Sequence, residues 1–199
     1  MIAGSIPVPR SIFHNFLMLT YSELINKLKP IRLLLLDVDG IMTDNRIFLN
    51  GAGDEQKGYS SLDGHGVRMV QRAGIQVGFL TGRISQGVSR RAEDLNIKIL
   101  VQRSFQKEVD YQKILAEHGF KDEEVAYMGD DVVDLPVMCR CGFSATVPGA
   151  EDWIQLRADY VTRRRGGDGA VREVIDLMLK AQGRWEEAMR RYLAAPQGG

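Results

Sequence analysis

The stretch Ile31-Arg32-Leu33-Leu34-Leu35-Leu36-Asp37-Val38-Asp39-Gly40 decides how this chain folds. Residues 31–38 form an apolar, β-branched run broken only by Arg32 and Asp37. Runs of that kind suit a strand buried on both faces, as in a parallel sheet. Working outward, similar runs recur at 76–80, 97–101, 125–128 and 143–147, and the segments 66–73, 85–95, 106–118 and 132–139 between them carry apolar residues at helical spacing. Strand and helix take turns, which predicts an α/β fold: a doubly wound, Rossmann-like parallel sheet with helices on both faces. One segment interrupts the rhythm. Residues 46–49 and 55–59 flank Asn50-Gly51-Ala52-Gly53-Asp54, the pattern of a β-hairpin. After Gly166-Gly167-Asp168-Gly169, residues 170–182 and 185–193 read as amphipathic helix. The expected organisation is an N-terminal extension of unassigned role over 1–21, one domain over 22–195 with its hairpin at 44–59, and a frayed end at 196–199, without internal repeats.

Composition narrows the function. A chain of 199 residues has room for one full-sized domain. Its 26 basic and 26 acidic residues cancel, so it lacks the excess charge of polyanion binders, and nucleic acid is not expected as a partner. The apolar run 12–19 contains His14 and Asn15, is too short to span a bilayer and precedes no cleavage site, so neither membrane nor export is expected. Cys139 and Cys141 stand too close for an easy disulfide and are too few for a metal cage, which suits a reducing, cytoplasmic setting.

Chemistry gathers at strand ends. Asp37 and Asp39 are two positions apart, so both carboxylates point to one side at the carboxyl end of a strand, where open α/β sheets bind ligands. Carboxylates held together need a cation, a shared proton or different roles; the bland alternative is a turn and a helix cap. Thr81-Gly82-Arg83 follows another strand and offers a hydroxyl and backbone N–H groups at a helix start, a phosphate cradle that is weak evidence alone. In Gly129-Asp130-Asp131-Val132-Val133-Asp134, Asp131 or Asp134 could cap a helix, but the adjacent pair Asp130 and Asp131 supplies the hard oxygens that Mg²⁺ prefers. Lys107 opens the helix 106–118, a place where most lysines are simply solvated.

In this order, the four elements resemble the haloacid dehalogenase superfamily of aspartate-nucleophile phosphatases. The intervals between the first three leave no room for an inserted cap of about 50 residues or more, so the chain is similar to capless members. Within them, Asp37-Val38-Asp39-Gly40-Ile41-Met42-Thr43-Asp44, the hairpin, Asp63-Gly64-His65-Gly66, the acidic run through Met138 and the tail Gly169-Ala170-Val171-Arg172-Glu173-Val174 look like the 3-deoxy-D-manno-octulosonate 8-phosphate phosphatases, over about residues 25–190.

That resemblance implies Mg²⁺-dependent hydrolysis of a sugar-acid phosphate of lipopolysaccharide synthesis through an aspartyl-phosphate, by a homotetramer assembled through the hairpins. It implies Asp37 as nucleophile, Asp39 as general acid and base, Thr81 and Lys107 as phosphate binders, and Asp37, Asp130 and the Asp39 carbonyl as metal ligands. Ser60, Asp63, Gly64, Arg68, Gly82, Arg83, Arg91, Lys107 and Asp131 would line the substrate pocket. Three positions depart from the pattern: Ser60 where Asn is usual, Leu62 where Arg or Lys is usual, and Arg103 in place of a glycine. These bear on the sugar rather than the reaction. The alternatives are a phosphatase for a nine-carbon sugar acid 9-phosphate or other small phosphosugars, and a non-catalytic phosphate-binding scaffold, against which the intact Asp37, Asp39, Lys107 and Asp130 set argues. Of the histidines only His65 falls near the expected pocket. Arg163-Arg164-Arg165 reads as a solvated face with a possible role toward a sugar carboxylate, and Trp153, Trp185 and Tyr192 read as packing residues.

Overall fold

The computed structural model describes residues 19–51 and 55–193. In chain order the elements are α1 (Tyr21–Leu28), β1 (Leu33–Leu36), β2 (Phe48–Leu49), β3 (Glu55–Gln56), α2 (Ser61–Arg72), β4 (Gln76–Leu80), α3 (Gln86–Asp94), β5 (Ile99–Val101) and α4 (Lys107–His118). There follow β6 (Val125–Met128), α5 (Leu135–Met138), β7 (Phe143–Thr146), α6 (Asp152–Gln155), β8 (Tyr160–Val161), α7 (Ala170–Ala181) and α8 (Trp185–Leu193). Six strands form one sheet in the order β5-β4-β1-β6-β7-β8, every pair parallel. The expected doubly wound architecture is what the chain adopts. Leu33 to Leu36 are each 0 % exposed, which is why this strand reads as an unbroken apolar run: both its faces are covered. Helix α2 packs on α7, which also meets α1 and α8, and α4 packs on α5.

The chain leaves β1 toward β4 and β5, then returns to β6 on the other side of β1. This reversal makes the carboxyl end of β1 the switch point of the sheet, where the strand connections part and leave a crevice. Only the small antiparallel hairpin, with Phe48 opposite Gln56 and Leu49 opposite Glu55, intervenes between β1 and α2; no cap domain lies there among the described residues.

Several boundaries differ from expectation. Helix α2 starts at Ser61, five residues before the periodic pattern begins, because the Ser60 hydroxyl accepts from Asp63 N at 3.4 Å and caps a first turn whose glycines hide its amphipathicity. The expected helix 132–139 splits into a 3₁₀ turn at Val132–Asp134 and the single turn of α5, where Pro136 occupies the start. Helix α1, closed by a reciprocal Thr20–Glu23 capping box, was not expected, nor was the two-residue edge strand β8. The hairpin strands shrink to two residues each. Residues 1–18 and 194–199, with most of the anticipated extension and the frayed end, lie outside the described residues.

Candidate active site

Three loops meet at the switch point, each leaving a strand that continues its ladder by one more hydrogen bond. Asp37 N donates to Met128 O at 2.9 Å, Thr81 N to Val101 O at 2.9 Å and Gly129 N to Ala145 O at 3.3 Å. The backbone just before or at each motif is therefore held by the sheet. Beyond Asp39 the chain turns sharply. Gly40 has φ +88°, and a Cβ there would lie 1.9 Å from Asp130 Oδ2, so only glycine lets this turn and the β6 loop approach. The Thr43 hydroxyl secures the turn, accepting from Gly40 N at 3.3 Å and donating to Val38 O at 3.4 Å.

Oxygens of Asp37, Asp130 and Asp134 lie within 4.8 Å of one another. Lys107, at the first position of α4, is drawn among them: its Nζ is 2.7 Å from Asp37 Oδ1 and 2.6 Å from Asp134 Oδ1. Asp134 is saturated with donors. Its Oδ1 takes Lys107 and the Tyr127 hydroxyl (2.5 Å), and its Oδ2 takes Asp130 N (3.0 Å) and Asp131 N (3.1 Å). It thereby fixes the loop that presents Asp130.

Charge is unbalanced here, with three carboxylates and one ammonium. Burial, then the Asp134 charge, pushes Asp37 up to about 7 in spite of Lys107. Burial, then the charges of Asp37, Asp134 and Asp131, pushes Asp130 up to about 8. Burial opposes the Lys107 ammonium, but Asp37 and Asp134 outweigh it and hold its pKa above the ordinary value. Such a set of hard oxygens, short of positive charge, fits a divalent cation of the Mg²⁺ type. Because Asp134 is already engaged, Asp37 and Asp130 have the free oxygen lone pairs. The Asp39 carboxylate is not among the three that converge here. An open depression of about 310 Å³, lined by Gly40, Asp44, Asn45, Asp130 and Arg165 among others, adjoins the cluster.

The Asp39 side chain meets the hairpin instead. Its Oδ1 is in contact with Lys57 Nζ, and its Oδ2 lies 4.0 Å from Arg83 Nε. Lys57 also pairs with Glu55 Oε1 at 2.7 Å, and Glu55 Oε2 with Arg83 at 2.8 Å. Tyr59, half-buried beside Asp39, is pushed up to about 12 by desolvation and then by the Asp39 charge. Thr81 is buried at the end of β4, and the helix expected over 85–95 runs from Gln86 to Asp94, so the cradle between them is a loop with Arg83 N 3.5 Å from Thr81 Oγ1.

The remaining expected pocket residues divide. Asp63 is a correction: it is 0 % exposed, and its carboxylate accepts from Gly169 N (3.1 Å) and Arg172 N (2.8 Å), capping α7 rather than facing the crevice. Gly64 is buried against Arg91, whose NH2 would be 2.2 Å from a Cβ at that position. Ser60 caps α2, and its carbonyl accepts from Arg91 at 3.3 Å. Arg68 and Arg91 both turn to Asp94, Arg91 at 2.7 Å, so of the three arginines expected in the pocket only Arg83 borders Asp39. Asp131 is exposed and caps the 3₁₀ turn through Val132 N at 2.7 Å, while Gly82 lies in the Thr81 loop. His65 meets Tyr192 on the surface, and Arg163 pairs with Glu173 at 3.4 Å.

Lys57, Glu55, Tyr127 and the central position of Asp134 were missed from sequence. Period-two spacing of Glu55 and Lys57, two charges on one side of a hairpin strand facing the site, was the available signal. Tyr127 lay inside an apolar run and gave none.

Residues 100–175 match the family model of haloacid dehalogenase-like hydrolases. The 3-deoxy-D-manno-octulosonate 8-phosphate phosphatase KdsC of Escherichia coli K12 is 42 % identical over 167 residues, covering 84 % of this chain and 89 % of that protein. This chain belongs to the 3-deoxy-D-manno-octulosonate 8-phosphate phosphatase family. A crystal structure of the family member from Yersinia pestis superposes with a TM-score of 0.81 at 42 % identity, covering 82 % of this chain and 89 % of that one. The family member from Moraxella catarrhalis, solved with a magnesium ion, a phosphate ion and KDO, gives 0.85 at 35 % identity over 87 % and 99 % of the two chains. Capless haloacid dehalogenase-like architecture is thus common to this chain and its family. Among the described residues, no helix is long and apolar enough to cross a membrane.

Proposed function

We propose that this protein hydrolyses 3-deoxy-D-manno-octulosonate 8-phosphate to 3-deoxy-D-manno-octulosonate and phosphate, with Mg²⁺, in lipopolysaccharide biosynthesis. The observation that carries the reading is Asp37: a buried carboxylate at the sheet's switch point, braced by Lys107 and set beside Asp130 and Asp134. Asp37 attacks phosphorus, and the bond from phosphorus to the sugar oxygen breaks as Asp39 delivers a proton to that oxygen. Asp39 then takes a proton from the water that attacks the aspartyl-phosphate, releasing phosphate and free Asp37. A covalent route of this kind divides one difficult displacement into two, and the acid and base roles alternate on one carboxyl group. Asp37, Asp130 and the Asp39 carbonyl would hold the cation, which when bound would offset the repulsion between a phosphate dianion and the carboxylates. Lys107 and Thr81 bind the phosphoryl oxygens, with Gly82 allowing close approach, and Arg83 reaches to 4.0 Å from Asp39.

The same reading takes the enzyme as a cytoplasmic homotetramer with one catalytic unit over 22–195. Phe48 (55 % exposed) and Leu49 (69 % exposed) on the hairpin, and Ile84, Phe105, Val132 and Val133 around the crevice, are apolar surfaces that neighbouring subunits would cover. Such an assembly would also supply walls to a pocket that has no cap.

Phosphate release from 3-deoxy-D-manno-octulosonate 8-phosphate and from glucose 6-phosphate tests the proposal. A kcat/KM preference of at least about 10²-fold for the sugar acid is expected, the ratio that roughly 3 kcal/mol of differential transition-state binding provides. Asp37→Asn should lower turnover by more than about 10³-fold, within the range seen when a catalytic group is lost. Equal rates on the two sugars, or an active Asp37→Asn variant, overturn it.

A further inference from the structure

Lys57 has a side chain only 1 % exposed, as buried as that of Lys107. Lysines are almost never buried unless paired, and here the pairing is with Asp39 Oδ1 and Glu55 Oε1. Glu55 Oε2 continues to Arg83, and Arg83 Nε returns to Asp39 Oδ2 at 4.0 Å. Four side chains thus close a ring of alternating charge. Glu55 and Lys57 come from the hairpin, Asp39 from the loop after β1 and Arg83 from the loop after β4. Holding the hairpin down does not require this arrangement, since an apolar side chain of similar volume serves at a buried ion-pair position at no cost in stability in many proteins. What an apolar side chain cannot do is hold a carboxylate in one orientation. The terminal torsion of an aspartate is broad and poorly defined by itself. Among the described residues, Lys57 and Arg83 are the charged groups within 4.0 Å of the Asp39 carboxylate, and only Lys57 is in direct contact with it.

We propose that Lys57 is a positioning residue for the reaction. By occupying Asp39 Oδ1 it fixes the plane of that carboxylate and leaves Oδ2 for the proton transfers to the leaving sugar oxygen and from water. Glu55 in turn fixes Lys57 and Arg83 together, so the placement of the hairpin and the aim of the acid–base group become one variable. Positioning errors near 1 Å cost about 10²-fold in rate, which sets the scale expected here. The inference rests on Asp39 being the acid–base group.

The test uses the full-length protein with Mg²⁺ and 3-deoxy-D-manno-octulosonate 8-phosphate. Lys57→Met should lower kcat by about 10- to 100-fold with KM within about 3-fold of wild type, and Lys57→Arg should recover part of the loss. Added to Asp39→Asn, the same substitution should cost less than about 2-fold more, because a residue that acts through Asp39 has nothing left to act on. Independent, multiplying losses would mean that Lys57 touches substrate itself, and an unchanged kcat would mean that it only holds the hairpin; either overturns the proposal. Should Lys57→Met fail to fold, Glu55→Gln carries the same double-substitution test. A wild-type enzyme inactive on this substrate, or an Asp39→Asn variant at full rate, would sink the proposed function itself. A wild-type enzyme that needs Asp39 but is indifferent to Lys57 removes this inference alone.

Discussion

Replacing Lys107 with Met is the perturbation that separates the electrostatic argument from the chemistry, because its first readout is stability without any substrate. Methionine fills much of the lysine stem's volume, so the change removes charge more than packing. The ammonium lies 2.7 Å from Asp37 and 2.6 Å from Asp134, whose side chains are 9 % and 0 % exposed. Removing one partner of a buried ion pair costs about 3–5 kcal/mol, since the other partner stays buried and uncompensated. For a domain of this size each kcal/mol moves the melting temperature by about 2–4 °C. The metal-free variant should therefore melt about 6–20 °C below the metal-free wild type at pH 8. The gap should narrow below pH 6, where Asp37 and Asp130, raised to about 7 and about 8 even with Lys107 present, take up protons. Saturating Mg²⁺ should raise the variant's melting temperature by more than the wild type's, because the variant presents a more negative site. Thermal unfolding followed by circular dichroism in chelator and in Mg²⁺ measures both. A metal-free variant melting within about 2 °C of wild type at pH 8 would refute the claim that Lys107 neutralises this cluster.

Three further outcomes follow from the geometry. Mg²⁺ affinity, read by calorimetric titration, should fall as pH drops from 8.5 to 6, because binding displaces protons from Asp37 (about 7) and Asp130 (about 8); since both values are raised, these groups stabilise the metal-free protein at low pH and that contribution is lost as pH rises through 7 and 8. Asp63→Asn should destabilise the protein by about 1–2 kcal/mol in urea titrations, the scale of a lost helix cap, with KM nearly unchanged; a large KM effect would return Asp63 to the substrate pocket. Gly40→Ala should abolish Mg²⁺ binding in the same titration while the protein stays folded, because its Cβ would sit 1.9 Å from Asp130 Oδ2; wild-type affinity in this variant would mean that the two loops are not coupled.

The parts of the structure that were readable from sequence are those in which local pattern and tertiary role coincide. Leu33 to Leu36 read as a doubly buried strand because that is their environment, and the acids that follow read as ligand-facing because a strand end at the switch point of a sheet is where ligands bind. Asp63 was misread because its partner, the N-terminus of α7, is more than 100 positions away in sequence; an acid beside glycines carries no local mark of the helix it caps. Asp134 was seen but given the lesser role of a cap, since nothing local shows that Lys107 and the Tyr127 hydroxyl converge on it. Lys57 escaped notice because a lysine on a hairpin is solvated in most proteins. Its burial depends on the hairpin folding back over Asp39, a long-range event.

These misreadings share a cause that also explains how the site works. A cluster with three carboxylates and one ammonium cannot be stable through its own contacts: burial, and then repulsion from the neighbouring carboxylates, holds Asp37 and Asp130 above their ordinary pKa values. It persists because the surrounding structure imposes it. The ladder holds the backbone of Asp37 through Met128 O, four donors hold Asp134, and Asp134 in turn holds the amides of Asp130 and Asp131. Lys107 is shared between Asp37 and Asp134, so it can neutralise neither completely, and Asp37 stays deficient in positive charge. A cation and a phosphoryl group brought together make up that deficit, whereas phosphate alone would add to the repulsion. Metal dependence is therefore a consequence of how Asp134 is held, and Tyr127 and Lys107, both bonded to Asp134, set how strongly the cluster demands a cation.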